Sequence, residues 1–261
     1  ATNYGAGRIE KNLGEILRGD KDALVVTKWG TDLDASPAQK KFDVDFLRRT
    51  AESSLERLGE GTRVVALLHN PSKGAIERGE ALDFLAELTK SGRLASYGVS
   101  VSHRETAEAA LDRGAPIVSL PYNVLQVQPL RALTERLRLE ERGVLVHSVL
   151  AYGLLVGRWA PNKDFPAGDH RLERWPDGAL RTRLRHLDGL RPVVSGDVTT
   201  MRAAALRFAL AAEIVSSVVL GPKSGAQLDQ LVREAKVDPP YLSEQKRSGL
   251  EGRLSHLGVP R

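Results

Sequence analysis

The chain contains no cysteine. That excludes disulfides, thiolate nucleophiles and cysteine-ligated zinc, so redox chemistry needs a bound cofactor, and it fits a reducing compartment. Long apolar runs are also missing. Stretches such as 64–68 and 215–220 fall far short of the roughly 20 residues that a bilayer span requires. The first residues carry no secretory pattern, and the expected location is the cytoplasm. No internal repeat, low-complexity tract or Ser/Gly linker interrupts the chain. No Gly-x-Gly-x-x-Gly fingerprint follows an apolar run, so a dinucleotide would have to bind by another mode than the usual glycine-rich strand-to-helix turn.

What is present is globular. The 261 residues are 41% hydrophobic and 27% charged, with a mean hydropathy of -0.26, values of a soluble domain rather than a membrane or disordered one. The net charge of +5 is spread along the chain with acids interspersed, which reads as a mixed solvated surface and not a nucleic-acid footprint.

Six short β-branched runs recur at 23–27, 64–68, 97–101, 117–120, 144–149 and 216–220. Helical spacing fills the segments between them at 45–58, 80–91, 104–113, 129–142 and 198–212. Apolar strands alternating with amphipathic helices imply parallel pairing with the helices outside, as a doubly wound sheet or a closed (β/α)8 barrel. Asp43 to Phe46 caps one helix, and Gly92, Gly114 and Gly143 are placed to end three others in left-handed conformations. Residues 159–197 break the rhythm and read as a long loop insertion in one domain spanning 1–261, and a helical tail follows from about 237. A closed barrel needs two more strands, which would precede Ala1; an open six-stranded sheet is the alternative.

In a barrel, chemistry gathers where strands end. The run ends here carry Lys28 and Trp29, His69, Ser100, Tyr122 and Asn123, His147 and Ser148, and Gly221 to Ser224. Lys28 and His69 leave adjacent strands toward one bowl, and Tyr4 enters it from the preceding segment. Tyr, Lys and His together suit proton transfer to a carbonyl oxygen. An ammonium about 4 Å from the phenol supplies roughly 4 kcal/mol at an effective dielectric near 20, enough to lower the phenol's pKa toward neutrality. The trio provides protons and no electrons, so reduction implies a hydride donor. Gly221, Pro222, Lys223 and Ser224, before a helix N-terminus, offer a place for its phosphate.

These residues resemble the aldo-keto reductase family. Ala1, Thr2, Asn3, Tyr4 and Gly5 resemble the end of its Asp-Thr-Ala-x-x-Tyr-Gly motif, whose Asp would lie two positions before Ala1. Thr27 to Gly30 look like its lysine motif, and Leu67 to Pro71 like its histidine strand. Gly98 to Ser100, Pro121 to Asn123, Gly153 to Gly157 and Gly221 to Gln227 follow in family order. The resemblance implies a (β/α)8 barrel of this type, without its first strand or strands in this chain, reducing a small-molecule aldehyde or ketone with NADPH in preference to NADH. It implies that Tyr4 is the general acid, that Lys28 lowers its pKa, and that His69 orients the carbonyl. Ser100 would hold the carboxamide, His147 would stack on the nicotinamide, and Ser148, Leu150 and Gly153 would line the pyrophosphate. Gly221, Lys223, Ser224 and Gln227 would face the adenosine 2'-phosphate end, and Trp29 would wall the carbonyl pocket. Val101, Ser119, His147 and Leu231 depart from the family pattern, and the first three motivate a second reading, a nucleotide-binding regulatory or partner protein on the same fold. A third, a lyase using Lys28 as a Schiff-base amine, leaves Tyr4 and Lys223 without a role.

Overall fold

The computed structural model of the chain describes residues 1–160, 162–169, 171–175 and 178–259. Pro161, His170, Pro176 and Asp177 of the expected insertion, and Pro260 and Arg261 of the tail, lie outside the described residues. The chain forms two compact units, one of residues 1–120 and 135–144, the other of 121–134 and 145–261.

The first unit is built on parallel strands β1 (Leu24–Trp29), β4 (Arg63–His69), β5 (Ser96–Ser100) and β6 (Ile117–Pro121), in that order. A hairpin of β2 (Thr31–Asp32) and β3 (Gln39–Lys40) follows β1. Helices α1 (Arg8–Ile16), α2 (Val44–Leu58), α3 (Lys73–Arg78), α4 (Glu80–Lys90), α5 (Arg104–Asp112) and α7 (Thr134–Leu139) alternate with the strands. Val64 to Leu68 of β4 are all buried, as a strand covered on both faces requires. Strand β1 instead alternates, with Val25, Thr27 and Trp29 buried and Leu24 and Val26 exposed. Along α2, Leu47, Ala51, Ser54 and Leu58 are buried at helical spacing, and the Asp43 carboxylate caps the first turn by accepting from the Phe46 N–H. Gly98 lets β5 and β6 meet, since a Cβ there would stand 1.9 Å from the Ile117 carbonyl oxygen.

The second unit contains the end of β7 (Gly143–His147), paired in parallel with β8 (Ser217–Val218) through Leu145↔Ser217 and Val146↔Val218. Its helices are α6 (Gln128–Arg131), α8 (Arg171–Arg174), α9 (Ala179–Leu190), α10 (Met201–Leu210), α11 (Gly225–Ala235) and α12 (Glu244–His256). Thr200, Ser224 and Ser243 each cap the helix that follows by accepting a backbone N–H three residues on. The Arg207 guanidinium, 1% exposed, ties α10 to its surroundings. It pairs with Asp197 at 2.7 Å and donates to the carbonyls of Asp197, Pro239 and Tyr241. Lys246 of α12 reaches the same Asp197 at 2.7 Å, which anchors that helix.

All six expected strands occur among the described residues. Three expectations change. Gly143 does not end a helix but opens β7, and Glu141 takes the left-handed conformation instead, with φ 51°. The single helix expected over 129–142 is two short ones, α6 and α7. The expected loop over 159–197 contains α8 and α9, and α9 buries Leu184, Leu187 and Leu190.

Candidate functional site

Parallel register brings the proposed side chains of the first unit together. His69 and Ser100 are direct partners at the ends of β4 and β5, and Lys28, one residue before the end of β1, pairs with Leu67. Tyr4 lies on the turn before α1, and that turn is joined to β1 by the Thr2 N–H, which donates to the Lys28 carbonyl at 3.2 Å. The Lys28 Nζ stands 5.7 Å from the Tyr4 ring centroid. The Tyr4 and His69 rings meet edge to face at 6.3 Å. Ser100 is buried, its carbonyl accepting from the Asn70 N–H at 2.8 Å. Asn70 itself is left-handed, with φ 51°, directly after His69. Non-glycine residues in this region carry backbone strain, which collects at functional sites.

The electrostatics run opposite to the simplest expectation for Lys28 and Tyr4. Burial pushes the Tyr4 phenol up and the Lys28 ammonium down, because each loses water on entering the unit. The net shift of the Tyr4 phenol in this state is therefore upward, with the Lys28 ammonium 5.7 Å from its ring. Among the described residues Lys28 forms no ion pair with a carboxylate, and the desolvation of both groups dominates. The phenol stays protonated at neutral pH, the form a proton donor needs.

Trp29 is corrected as well. It has 0% exposure, and its indole N–H donates to the Ser54 hydroxyl of α2 at 3.0 Å. Successive strand side chains point to opposite faces, so Trp29 packs into the helix layer while Lys28 projects from the other face. It has no exposed surface with which to wall a pocket.

In the second unit, His147 ends β7 and its carbonyl accepts from the Tyr122 N–H at 3.0 Å. The Asn123 amide donates to the Ser148 carbonyl at 2.9 Å, and the Ser148 hydroxyl donates to the Tyr152 oxygen at 3.3 Å. Ser148, Ala151 and Tyr152 are left-handed, with φ of 57°, 45° and 57°. The Leu150 carbonyl is taken by the N–H groups of Gly153 and Leu155. Lys223, Ser224 and Gln227 share the N-terminus of α11. Ser224 accepts from the Gln227 N–H, and the Gln227 side chain accepts from the Lys223 N–H at 2.8 Å. Gly221, Lys223 and Ser224 are exposed there.

Two groupings escape a reading of the sequence. One is an aromatic cluster joining Tyr152, Trp159, Phe165 and Trp175, with Trp159 and Trp175 5.3 Å apart and Arg174 stacked 3.8 Å over Tyr152. Two of the three tryptophans falling inside the insertion is the signal that could have found it. The other is a buried carboxylate, Glu10, held by Thr27, Ser54 and Arg57.

Comparison with known proteins gives consistent relatives. The family model described as "Aldo/keto reductase family" matches residues 1–245. An uncharacterized oxidoreductase of Mycobacterium bovis is 25% identical over 259 residues, covering 95% of this chain and 74% of its own. A D-threo-aldose 1-dehydrogenase of Pseudomonas is 27% identical over 269 residues, covering 92% and 79%. Among solved structures, the glycerol dehydrogenase AKR11B4 of Gluconobacter oxydans superposes with a TM-score of 0.82 at 21% identity, over 100% of this chain and 81% of that one. That likeness shows the fold.

Proposed function

The chain belongs to the aldo/keto reductase family and is a nicotinamide-dependent oxidoreductase, and from that premise we propose that it reduces the carbonyl of a small aldehyde or ketone. The observation that carries the reading is the convergence of Tyr4, Lys28 and His69, with the ammonium 5.7 Å and the imidazole ring 6.3 Å from the phenol ring. Tyr4 donates its phenolic proton to the carbonyl oxygen as negative charge develops there. His69 hydrogen-bonds that oxygen and orients the carbonyl. The Lys28 charge stabilises the phenolate that remains.

The residues fit a pyridine nucleotide. Lys223 and Ser224 stand exposed at the start of an 11-residue helix, where unpaired N–H groups and the helix dipole favour an anion. A cation and a hydroxyl there favour the 2'-phosphate of NADPH over the bare hydroxyl of NADH. Ser100 and His147 would hold the nicotinamide, and Ser148, Leu150, Gly153, Gly221 and Gln227 the remaining length. When bound, the nicotinamide supplies the hydride.

The test is nucleotide titration and steady-state reduction of a carbonyl panel by the wild type, Tyr4→Phe and Lys223→Ala. Tyr4→Phe is expected to lose at least about 100-fold in turnover with nucleotide affinity unchanged. Lys223→Ala is expected to weaken NADPH about 10-fold and NADH little. Turnover retained in Tyr4→Phe overturns the assigned proton donor, and equal losses for the two nucleotides overturn the NADPH preference.

A further inference from the structure

We infer that Glu10 is a positioning residue that sets the Tyr4 turn against the Lys28 strand, an inference resting on the catalytic reading of those two side chains. Glu10 lies in the first turn of α1, where acids are ordinarily solvated partners of the helix dipole. Here it is 1% exposed. A carboxylate that deep is tolerated only when its oxygens are fully occupied, and these are. Oε1 accepts from the Thr27 hydroxyl at 2.5 Å and the Ser54 hydroxyl at 2.8 Å. Oε2 accepts from Arg57 Nε at 2.9 Å and Nη2 at 2.7 Å.

The partners matter more than their number. Thr27 and Trp29 flank Lys28 in β1. Thr27 bonds Glu10 directly, and Trp29 reaches it through Ser54, whose oxygen accepts the indole N–H. Both side chains lie on the face of β1 opposite Lys28, so fixing them fixes the backbone from which Lys28 projects. The other end of the device is Tyr4. Gly5, Ala6 and Gly7 between Tyr4 and α1 are all left-handed, with φ of 60°, 50° and 84°, and no side chain caps Gly7. Within the turn the Tyr4 N–H donates to the Ala1 carbonyl at 2.9 Å, and the Arg8 N–H and Nε donate to the Gly5 carbonyl at 3.1 and 3.4 Å. The turn is joined to β1 on both sides of Tyr4, upstream by the Thr2 N–H on the Lys28 carbonyl and downstream by Glu10 on Thr27. The phenol and the ammonium are thus held in register by a group that touches neither.

A purely structural carboxylate would alter stability and leave the chemistry alone, so the test reads both. The variants are Glu10→Gln, the near-isosteric Thr27→Val, and the conservative Thr27→Ser, which keeps the hydroxyl. For each, kcat and KM are measured with the best carbonyl of the panel, the Tyr4 titration is followed by NMR of labelled tyrosine assigned with Tyr4→Phe, and a thermal midpoint is recorded. Positioning predicts that Glu10→Gln and Thr27→Val lose about 10-fold or more in kcat with KM within about twofold. It also predicts a displaced Tyr4 titration, with Thr27→Ser close to wild type in both. Unchanged kcat and unchanged Tyr4 titration in a folded variant, whatever its thermal midpoint, overturn the inference. If Glu10→Gln fails to fold, the Thr27 pair decides. If the wild type reduces no carbonyl, the reductase reading falls by itself, and the Tyr4 titration still decides whether Glu10 positions the phenol.

Discussion

The contact between α1 and α2 can be tested by one methyl group. Gly14 is buried on α1, and a Cβ there would stand 2.4 Å from the Arg57 carbonyl oxygen and 2.6 Å from that of Leu58. Ordinary contact begins at 3.4 Å, so Gly14→Ala requires α1 to retreat by about 1 Å from backbone atoms that cannot rotate aside. Overpacking of this kind costs about 1–3 kcal/mol, while alanine regains about 1 kcal/mol over glycine inside a helix. Because the clash is with backbone, the cost falls at the upper end of that range, about 2–3 kcal/mol, and the net expectation is a loss of roughly 1–2 kcal/mol, or about 2–8 °C in thermal midpoint for a chain of this size. Gly249 of α12 supplies the opposite case, because nothing lies within 4 Å of a Cβ there. Gly249→Ala should stabilise by up to about 1 kcal/mol. Thermal and urea denaturation of the two variants beside the wild type check the pair. Equal signs, or a Gly14→Ala protein as stable as the wild type, would refute the close helix contact.

Two further predictions concern charge. Hydrogen bonds from Lys246, then Arg207, hold the Asp197 carboxyl down to about 2 from 3.8. A depressed folded value means that its stabilisation is present above pH 3.8 and is lost as the pH falls from there toward about 2. Asp197→Asn should flatten the stability profile over that acid range, checked by denaturation as a function of pH; parallel profiles would contradict it. Burial lowers the Lys28 pKa, so the folded state disfavours the ammonium at neutral pH and is relieved as the pH rises toward the ordinary lysine value. Lys28→Met should therefore raise the neutral-pH thermal midpoint while abolishing turnover. A destabilised Lys28→Met would show that the amine contributes favourable contacts instead.

Much of the scaffold was legible because burial leaves a mark on composition. Runs such as 64–68 are apolar and unbroken because both faces of β4 are covered, and that pattern survives without tertiary information. The β2–β3 hairpin leaves no such mark. Each strand is two polar residues, held by Lys40 Nζ on the Thr31 hydroxyl and by the Lys41–Asp32 pair, contacts that no periodicity announces. Tyr4, Lys28 and His69 could be found because strand order puts strand ends side by side. Glu10 could not, since a glutamate in a first helical turn is commonplace and only the fold reveals what surrounds it. The burial of Trp29 follows from strand geometry alone. Its adjacency to Lys28 in a strand already requires the two side chains to face apart. The direction of the Tyr4 and Lys28 shifts depends on how much water each group loses, a quantity fixed by packing and not by residue identity.

The placement of the tryptophans gives the molecule two optical reporters that can be separated by mutation. Trp29 is sealed inside the first unit, whereas Trp159 and Trp175 sit half-buried and in mutual contact in the second. Emission from a Trp159→Phe, Trp175→Phe protein follows the first unit alone, and emission from Trp29→Phe follows the second. Superimposing the two unfolding curves asks whether the chain melts as one cooperative body or in two steps, and so whether a single stability value has meaning for this protein.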